Sequence, residues 1–492
     1  MPKGHIQQPR VRLRYSTTLK ELRAGDTLGV SELPRLGRSM AKCLEPVVCS
    51  MRKTPQCCGR SHAGLIPVQD PSPLHRAACC GHATRVLLFA LSFLGAAPLG
   101  WAWQHETLSG ELGGYRSRLA DRGVTLDLIY TGEMVSILSG GVRRKTVYLD
   151  SVDLTLTLDV ERLLGWPGAR VFVYGLGNRG GNPSRHVGDA QGVSGIEAFD
   201  TWKLYEAWFE QQLFDARLSL LLGLYNLEAE FDYAETGQLF LHSSFGTGPD
   251  FSLSGQNGPS VFPTTSLGVR LRLQPDPTWY WQTAVLDGVA GDPDDPGGTQ
   301  VVFGAHDGVL VASELAYLID VHAAAGGYGK YALGAWVYSD GPDDGGTAGR
   351  AACCGGAYGL YGLAEQVVYR HVTDPRRGLA LFARLGFAEA RVNPFSVYTG
   401  GGLVYTGLLS WRPEDRCGLG IAAAHHSGRF RRTRHAAGHA VADAEIALEL
   451  TYRAGLTAWW TVQPSLQYIV NPGAEPGLAD AVLVGLRFEV VF

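Results

Sequence analysis

Residues 152–160 read VDLTLTLDV, and Val152, Leu154, Leu156, Leu158 and Val160 alternate with Asp153, Thr155, Thr157 and Asp159. A period of two is the mark of a β-strand with one apolar and one polar face. The same alternation governs VTLDLIYTGEM (124–134), where Val124, Leu126, Leu128, Tyr130 and Met134 oppose Thr125, Asp127, Thr131 and Glu133. It recurs in DAEIALELTYR (443–453), in WTVQPSLQY (460–468) and in the C-terminal ADAVLVGLRFEVVF (479–492), where Val482 to Val490 on even positions oppose Gly485, Arg487 and Glu489. These segments run nine to fourteen residues. Strands of globular proteins are more often about five or six residues long, whereas a tilted membrane-spanning strand needs about 9–11.

The connections sharpen this. Short ones are GWPG (165–168), FDAR (214–217), QPDPT (274–278), TDPRRG (373–378), RPEDR (412–416) and RAGLT (453–457). Long ones fall at 178–202, 226–265, 288–307, 339–357 and 427–440. Alternating long outer loops with short periplasmic turns is the wiring of a transmembrane barrel. The pattern predicts an all-β fold, a 16-stranded antiparallel transmembrane β-barrel over 124–492 with both ends periplasmic. A soluble sandwich would alternate too, but its loops would not be long at one end only, and no fixed-period repeat supports a solenoid. The 64 glycines and the 18% charged residues fit a turn-rich β protein. Trp279, Tyr280, Trp281, Trp459 and Trp460 near strand ends suit interfacial girdles.

Ahead of the barrel, residues 103–123 are expected to hold a short periplasmic helix, with Leu112, Tyr115 and Leu119 on one face and Gly123 as its C-terminal cap. Residues 86–102, VLLFALSFLGAAPLGWA, follow Arg85 and read as a secretory signal cut after Ala102, the alternative being a short buried helix. Residues 1–85 then stand where nothing is expected. They hold six of the nine cysteines, and the reading is an over-extended or disordered segment rather than a zinc module, because Cys57-Cys58 and Cys79-Cys80 are adjacent pairs rather than C-x2-C. Residues 1–102 contain 14 of the 43 Lys and Arg and 5 of the 47 Asp and Glu, so the remainder carries 29 basic and 42 acidic side chains, a net of −13. That balance disfavours nucleic acid as a partner. Cys353, Cys354 and Cys417 make no disulfide framework.

Several blocks resemble the carbohydrate-selective porins of Gram-negative outer membranes, the OprB family. They are LSGELGGYRSRLADRGV (108–124), GDAQGVSGIEAFDTWKLYEAWFEQ (188–211), LGLYNLEAEF (222–231), LFLHSSFG (239–246), GLALFARLGFA (378–388), GLLSWRPEDRCGLGIA (407–422) and PSLQYIVNPG (464–473), in family order. Leu112 stands where the family usually has Trp. The resemblance implies a monomeric barrel in the bacterial outer membrane that lets mono- or oligosaccharides diffuse through, with the 178–202 loop folded inward. A general porin for other small solutes is the competing expectation, since fold alone does not set selectivity.

A passive pore needs no cofactor, metal or catalytic residue, so the candidates are polar groups facing the permeant. Strand alternation puts Glu206, Trp208 and Glu210 on one face, opposite Tyr205, Ala207 and Phe209; it also turns Arg270, Arg272 and Arg384 to the polar side. The inward loop contributes Asn178, Arg179, Asp189, Gln191 and Glu197, and Glu228 and Glu230 open the next loop. Arginines and carboxylates facing one another offer hydrogen bonds to many hydroxyls, and an aromatic such as Trp208 can cover a sugar ring. A single lumen-facing charge is more often a solvated member of an Arg–Glu lattice than a sugar contact. Arg143, Arg144 and Lys145 read as solvent or lipopolysaccharide contacts, RFRRTRH (429–435) as a basic outer loop, and Glu414 and Asp415 as turn-stabilising rather than calcium-binding. Adjacent His425 and His426 would point to opposite faces beside Ser427, which argues against a hydrolase. In the outer-membrane context the terminal Phe492 is expected to be read by the barrel-assembly machinery.

Overall fold

The period-two segments become strands that pair in sequence until the last meets the first. The computed structural model describes residues 106–304, 307–319, 328–339 and 356–492. Its strands are β1 (Val124–Ser139), β2 (Thr146–Asp159), β3 (Ala169–Gly180), β4 (Thr201–Leu213), β5 (Leu218–Tyr225), β6 (Ser266–Asp276), β7 (Trp279–Asp287) and β8 (Val309–Ile319). They continue as β9 (Gly329–Tyr338), β10 (Tyr358–Arg370), β11 (Gly378–Ala388), β12 (Phe395–Thr406), β13 (Arg416–His426), β14 (Ala444–Gly455), β15 (Trp460–Val470) and β16 (Ala481–Val491). Every neighbour pair is antiparallel, and β1 pairs with β16 to close the barrel. Closure matters because lipid offers no hydrogen bonds, so each backbone N–H and C=O of a spanning strand must find a partner strand. The expected segment 1–85, the signal at 86–102, Cys353 and Cys354 lie outside the described residues.

Side chains alternate as the sequence implies. On β1 Leu126 and Met134 are exposed on the outer wall, while Thr131 and Glu133 are buried inside. On β16 Arg487 reaches Glu133 across the seam with Nε at 2.7 Å, and Glu489 pairs with Arg453 of β14 at 2.8 Å. Tyr280 departs from the girdle expectation. Its ring faces inward, 4% exposed, with its hydroxyl donating to Glu314 at 2.7 Å.

The N-terminal helix is shorter than its pattern. It spans Tyr115–Asp121 after a 3-10 turn, Leu112–Gly114. Gly113 and Gly114 sit at φ 70° and 83°, which breaks the helix there, and Leu112, Tyr115 and Leu119 are exposed rather than packed. Gly123 at φ 89° ends the helix as expected, its N–H donating to the Ala120 carbonyl at 3.0 Å.

The barrel interior is filled largely by the 40-residue connection 226–265 between β5 and β6. Phe240 and Phe245 of this loop stack at 4.5 Å between centroids and pack against Phe382 of β11. Room for them comes from CGLGIAAAHH on β13, whose inward positions are Gly418, Gly420, Ala422 and Ala424. A Cβ on Gly420 would lie 2.7 Å from the Phe245 ring, and one on Gly418 2.8 Å from Leu239. A second apolar cluster forms where Phe251 stacks on Trp336 of β9 at 5.0 Å and an interplanar angle of 9°.

Candidate pore and its constriction

Two inward arginines of the wall hold the long loop. Arg384 on β11 is 4% exposed and spans two carboxylates of loop 226–265. Its Nε donates to Asp232 at 2.7 and 2.9 Å, and its Nη1 to Asp250 at 2.7 Å. Its guanidinium also lies 4.9 Å from the Tyr398 ring. Arg270 on β6 is 1% exposed and grips Glu230 through Nε at 2.8 Å and Nη2 at 3.0 Å, while Nη2 also reaches Glu210 of β4 at 3.1 Å. Buried and doubly paired, both are neutralised in place.

Carboxylates of the wall act as pegs in the same way. Glu314 accepts from the Asp232 N–H and from the Tyr280 and Tyr361 hydroxyls at 2.7–3.0 Å. Glu365 receives the N–H groups of Glu235 and Thr236, and Glu449 those of Leu241 and His242, all at 2.8–3.1 Å. Glu445 holds the second inward loop through the N–H groups of Ala190 and Gln191 at 2.9 and 3.0 Å. Glu365, Glu449 and Glu445 each satisfy two loop N–H groups, and Glu314 one N–H and two hydroxyls, donors that burial would otherwise orphan. Together they hold both loops against the inner wall of the barrel.

These inward loops sit in a fold shared with solved porins. A profile described as "Carbohydrate-selective porin, OprB family" matches residues 143–492. The chain belongs to this family. Over 446 residues it is 28% identical to Porin B of Pseudomonas aeruginosa, covering 82% of this chain and 96% of that one. The high-pH structure of Pseudomonas putida OprB superposes with a TM-score of 0.71 at 24% identity, and the low-pH structure with 0.53 at 21%. Each covers 80% of this chain and all of the other. The protein is thus an outer-membrane porin for carbohydrates and not an enzyme.

Within this OprB-family barrel the remaining candidates divide clearly. Arg272 faces inward, 8% exposed, and among the described residues none of its contacts is a carboxylate. Its Nη atoms donate to Gln282 at 3.3 Å and Gln274 at 3.2 Å, and its guanidinium lies 3.9 Å from the Tyr280 ring. Trp208 also faces inward, stacked on Phe172 of β3 at 4.9 Å, with its Nε1 donating to Glu206 at 3.1 Å. Glu206 further accepts the Asn226 N–H at 3.1 Å. The strand is not regular here, because β3–β4 pairing shifts between Tyr174 and Gly175. A bulge turns Tyr205 inward beside Glu206 instead of onto the outer wall, 1% exposed and edge-on to Tyr174 at 5.0 Å.

The loop candidates hold one another. Gln191 accepts from the Ser244 hydroxyl at 2.9 Å and so ties the two inward loops together. Asp189 accepts the Gly192 N–H at 2.7 Å, and Glu197 accepts from the Ser184 hydroxyl and N–H at 2.8 and 3.2 Å. Both line a recess of about 690 Å³ at the outer mouth. Burial pushes Glu197 up to about 7 and Asp189 up to about 6. Asn178 donates to the Ile196 carbonyl at 3.3 Å, and Glu228 accepts the Phe262 N–H at 3.3 Å.

Arg179 is a correction. It is paired in register with Asp150, next to inward Ser151 and Asn178, so strand alternation points it away from the lumen. Its guanidinium lies 5.9 Å from the ring of Trp202, which is 58% exposed. The sequence reading also missed Asp232 and Asp250, the pegs Glu314 and Glu365, and Phe172. A lone Glu at an inward position of an otherwise apolar strand, as in VASELAYL, was the available signal. His426 lies between Phe395 and Phe430 at 4.4 and 4.5 Å, and the Ser427 hydroxyl accepts the Phe430 N–H at the start of the helix Gly428–Ala436. Asp415 accepts from the Tyr452 hydroxyl at 2.7 Å and the Gly455 N–H at 3.3 Å, which braces its turn.

Proposed function

We propose that sugar selectivity arises at a constriction with divided labour. Arg270, Arg384, Glu210, Glu228, Glu230, Asp189, Gln191 and Glu197 shape it, and Arg272, Trp208, Glu206 and Phe172 meet the permeant. The observation that carries this reading is the contrast in pairing: Arg270 and Arg384 each bind carboxylates within 3.1 Å, whereas Arg272 is held by two amides and a ring. An arginine without a direct counter-charge keeps its donors attractive to hydroxyl oxygens. The stacked Trp208–Phe172 pair offers an apolar face to a pyranose ring. Weak contacts at successive places favour entry without trapping. The barrel acts as a monomer, its lipid face contacts lipopolysaccharide, and the strand ending at Phe492 is read by the assembly machinery. The mature chain begins at Trp103 after removal of the signal.

Single-channel recording tests this. Arg272→Ala is expected to weaken sugar block of the ion current several-fold. Unchanged block would remove Arg272, and equal passage of sugars and amino acids of like size would turn the assignment to a general porin. N-terminal sequencing of the outer-membrane form checks the start at Trp103.

A further inference from the structure

The outer ends of β1 to β4 carry charge that the pore does not use. Arg179 is one residue from the end of β3 and faces the lipid side, its guanidinium over exposed Trp202. Tyr148, 44% exposed, stands beside it on the same outer wall and hydrogen-bonds Tyr130 at 2.6 Å. Aromatic side chains of this kind mark the membrane interface of a barrel. Immediately above, the Arg143 N–H donates to the His186 carbonyl at 2.9 Å and the Gly181 N–H to the Tyr148 carbonyl at 2.8 Å, which draws two outer connections together. This brings Arg143, Arg144, Lys145 and Arg185 to the same rim, all exposed. Lys145, Arg143 and Arg185 act together on His186, which is held below its ordinary pKa first by burial and then by these three charges.

None of these five cations, Arg179 included, has a carboxylate within 4.0 Å among the described residues. The acids nearby are engaged. Asp150 accepts from the Tyr130 hydroxyl at 3.1 Å, Asp200 from the Gly180 N–H at 2.9 Å, and Asp480 from the Tyr468 hydroxyl and the Asn471 N–H at 2.8 and 3.0 Å. In a chain whose barrel portion is strongly acidic, a cationic rim at the outer interface calls for an anionic partner at that depth. Guanidinium groups match phosphate oxygens with paired N–H donors. The outward direction of Arg179 selects a lipid over a permeant.

We propose that Arg179 on Trp202, with Arg143, Arg144, Lys145 and Arg185, forms a binding site for the phosphate groups of the glycolipid in the outer leaflet. The site rests on the barrel's outer-membrane location and not on the assignment of the sugar path.

The test titrates the full-length barrel in detergent with bis-phosphorylated lipid A and with the same lipid A dephosphorylated. The parent is expected to prefer the phosphorylated form by roughly tenfold, with a preference that shrinks as salt rises. Changing all five cations to Ala abolishes the preference, and Arg179→Ala alone cuts it several-fold while Arg179→Lys retains part of it. Unchanged single-channel conductance reports that the barrel is still folded, and sugar block in the same variants tests the pore assignment separately. Equal binding of the two lipids overturns the proposal, as does a preference that survives loss of all five. Inorganic phosphate binding at the rim without any lipid preference assigns it to soluble anions and overturns the lipid assignment.

Discussion

Arg270 and Arg272 stand two residues apart on one face of β6 and differ in what neutralises them. Arg270 is enclosed by Glu210 and Glu230, and its replacement would strand two buried carboxylates. Arg384 is the same case, with Asp232 and Asp250 each 0% exposed at the side chain. Removing one partner of such a buried cluster costs about 3–5 kcal/mol. Arg384→Ala is therefore expected to release loop 226–265, seen as higher ionic conductance with noisier current and an earlier denaturant midpoint. A variant with parental conductance and midpoint would show that the loop holds without this clamp. Arg272→Ala leaves no carboxylate unpaired, so it should alter sugar block and not the midpoint. Phe172→Ala removes half of a stacked pair worth about 0.5–1.5 kcal/mol, and sugar block should weaken by roughly two- to tenfold at constant open-channel current. Block at the parental level would take the pair out of the sugar path.

The inward loops are elements without regular structure, fixed by wall residues far away in sequence. Glu449 meets Leu241 across 208 residues and Glu445 meets Gln191 across 254. The strands were legible in the sequence because alternation is local, and the connections because their lengths alternate. The docking was not legible, since nothing within AEIALEL distinguishes a peg from a solvated glutamate. The bulge at Tyr205 was hidden for a related reason: period-two reasoning has no room for one extra residue, and it moved Tyr205 to the wrong face. Arg179 was misplaced because it was assigned to a loop while β3 runs on to Gly180. The outer loop adds a pH dependence. Glu197 has its folded pKa raised to about 7 by burial, against an ordinary 4.5. The folded loop therefore binds more protons than a released one between those values, and its docking strengthens as pH falls through 7 towards 4.5. Current noise from the outer mouth should drop between pH 8 and pH 5. Glu197→Gln should flatten that change, and a variant that keeps the full change would point to another group.

At the scale of the whole barrel, the seam between β1 and β16 is the place where closure is incomplete on its own. The ladder pairs Ile129 with Val491 and ends at Ser139 with Val482, so residues 124–127 of β1 lie beyond its register with β16 and keep their register with β2 at the periplasmic end. The segment before β1 makes up the difference. The Leu108 N–H donates to the Val491 carbonyl at 2.7 Å, the Phe492 N–H to the Leu128 carbonyl at 2.9 Å, and Arg116 Nη2 to the Phe492 oxygen at 2.7 Å. Arg116 also lies 4.0 Å from Asp127. The short helix, whose Tyr115 and Leu119 stay exposed, thus positions one arginine over Phe492. A hydrogen bond to a charged group contributes about 1.5–3 kcal/mol when well shielded and less at a partly exposed site such as this. Arg116→Ala should therefore fray the seam locally instead of opening the barrel. Amides of 486–492 are expected to exchange faster by a factor of about ten, corresponding to ~1.4 kcal/mol, while amides of β8 to β12 keep their protection and channel conductance stays at the parental value. Uniform acceleration around the barrel would mean that the clasp supports global stability, and unchanged exchange at 486–492 would mean that the ladder alone holds the seam.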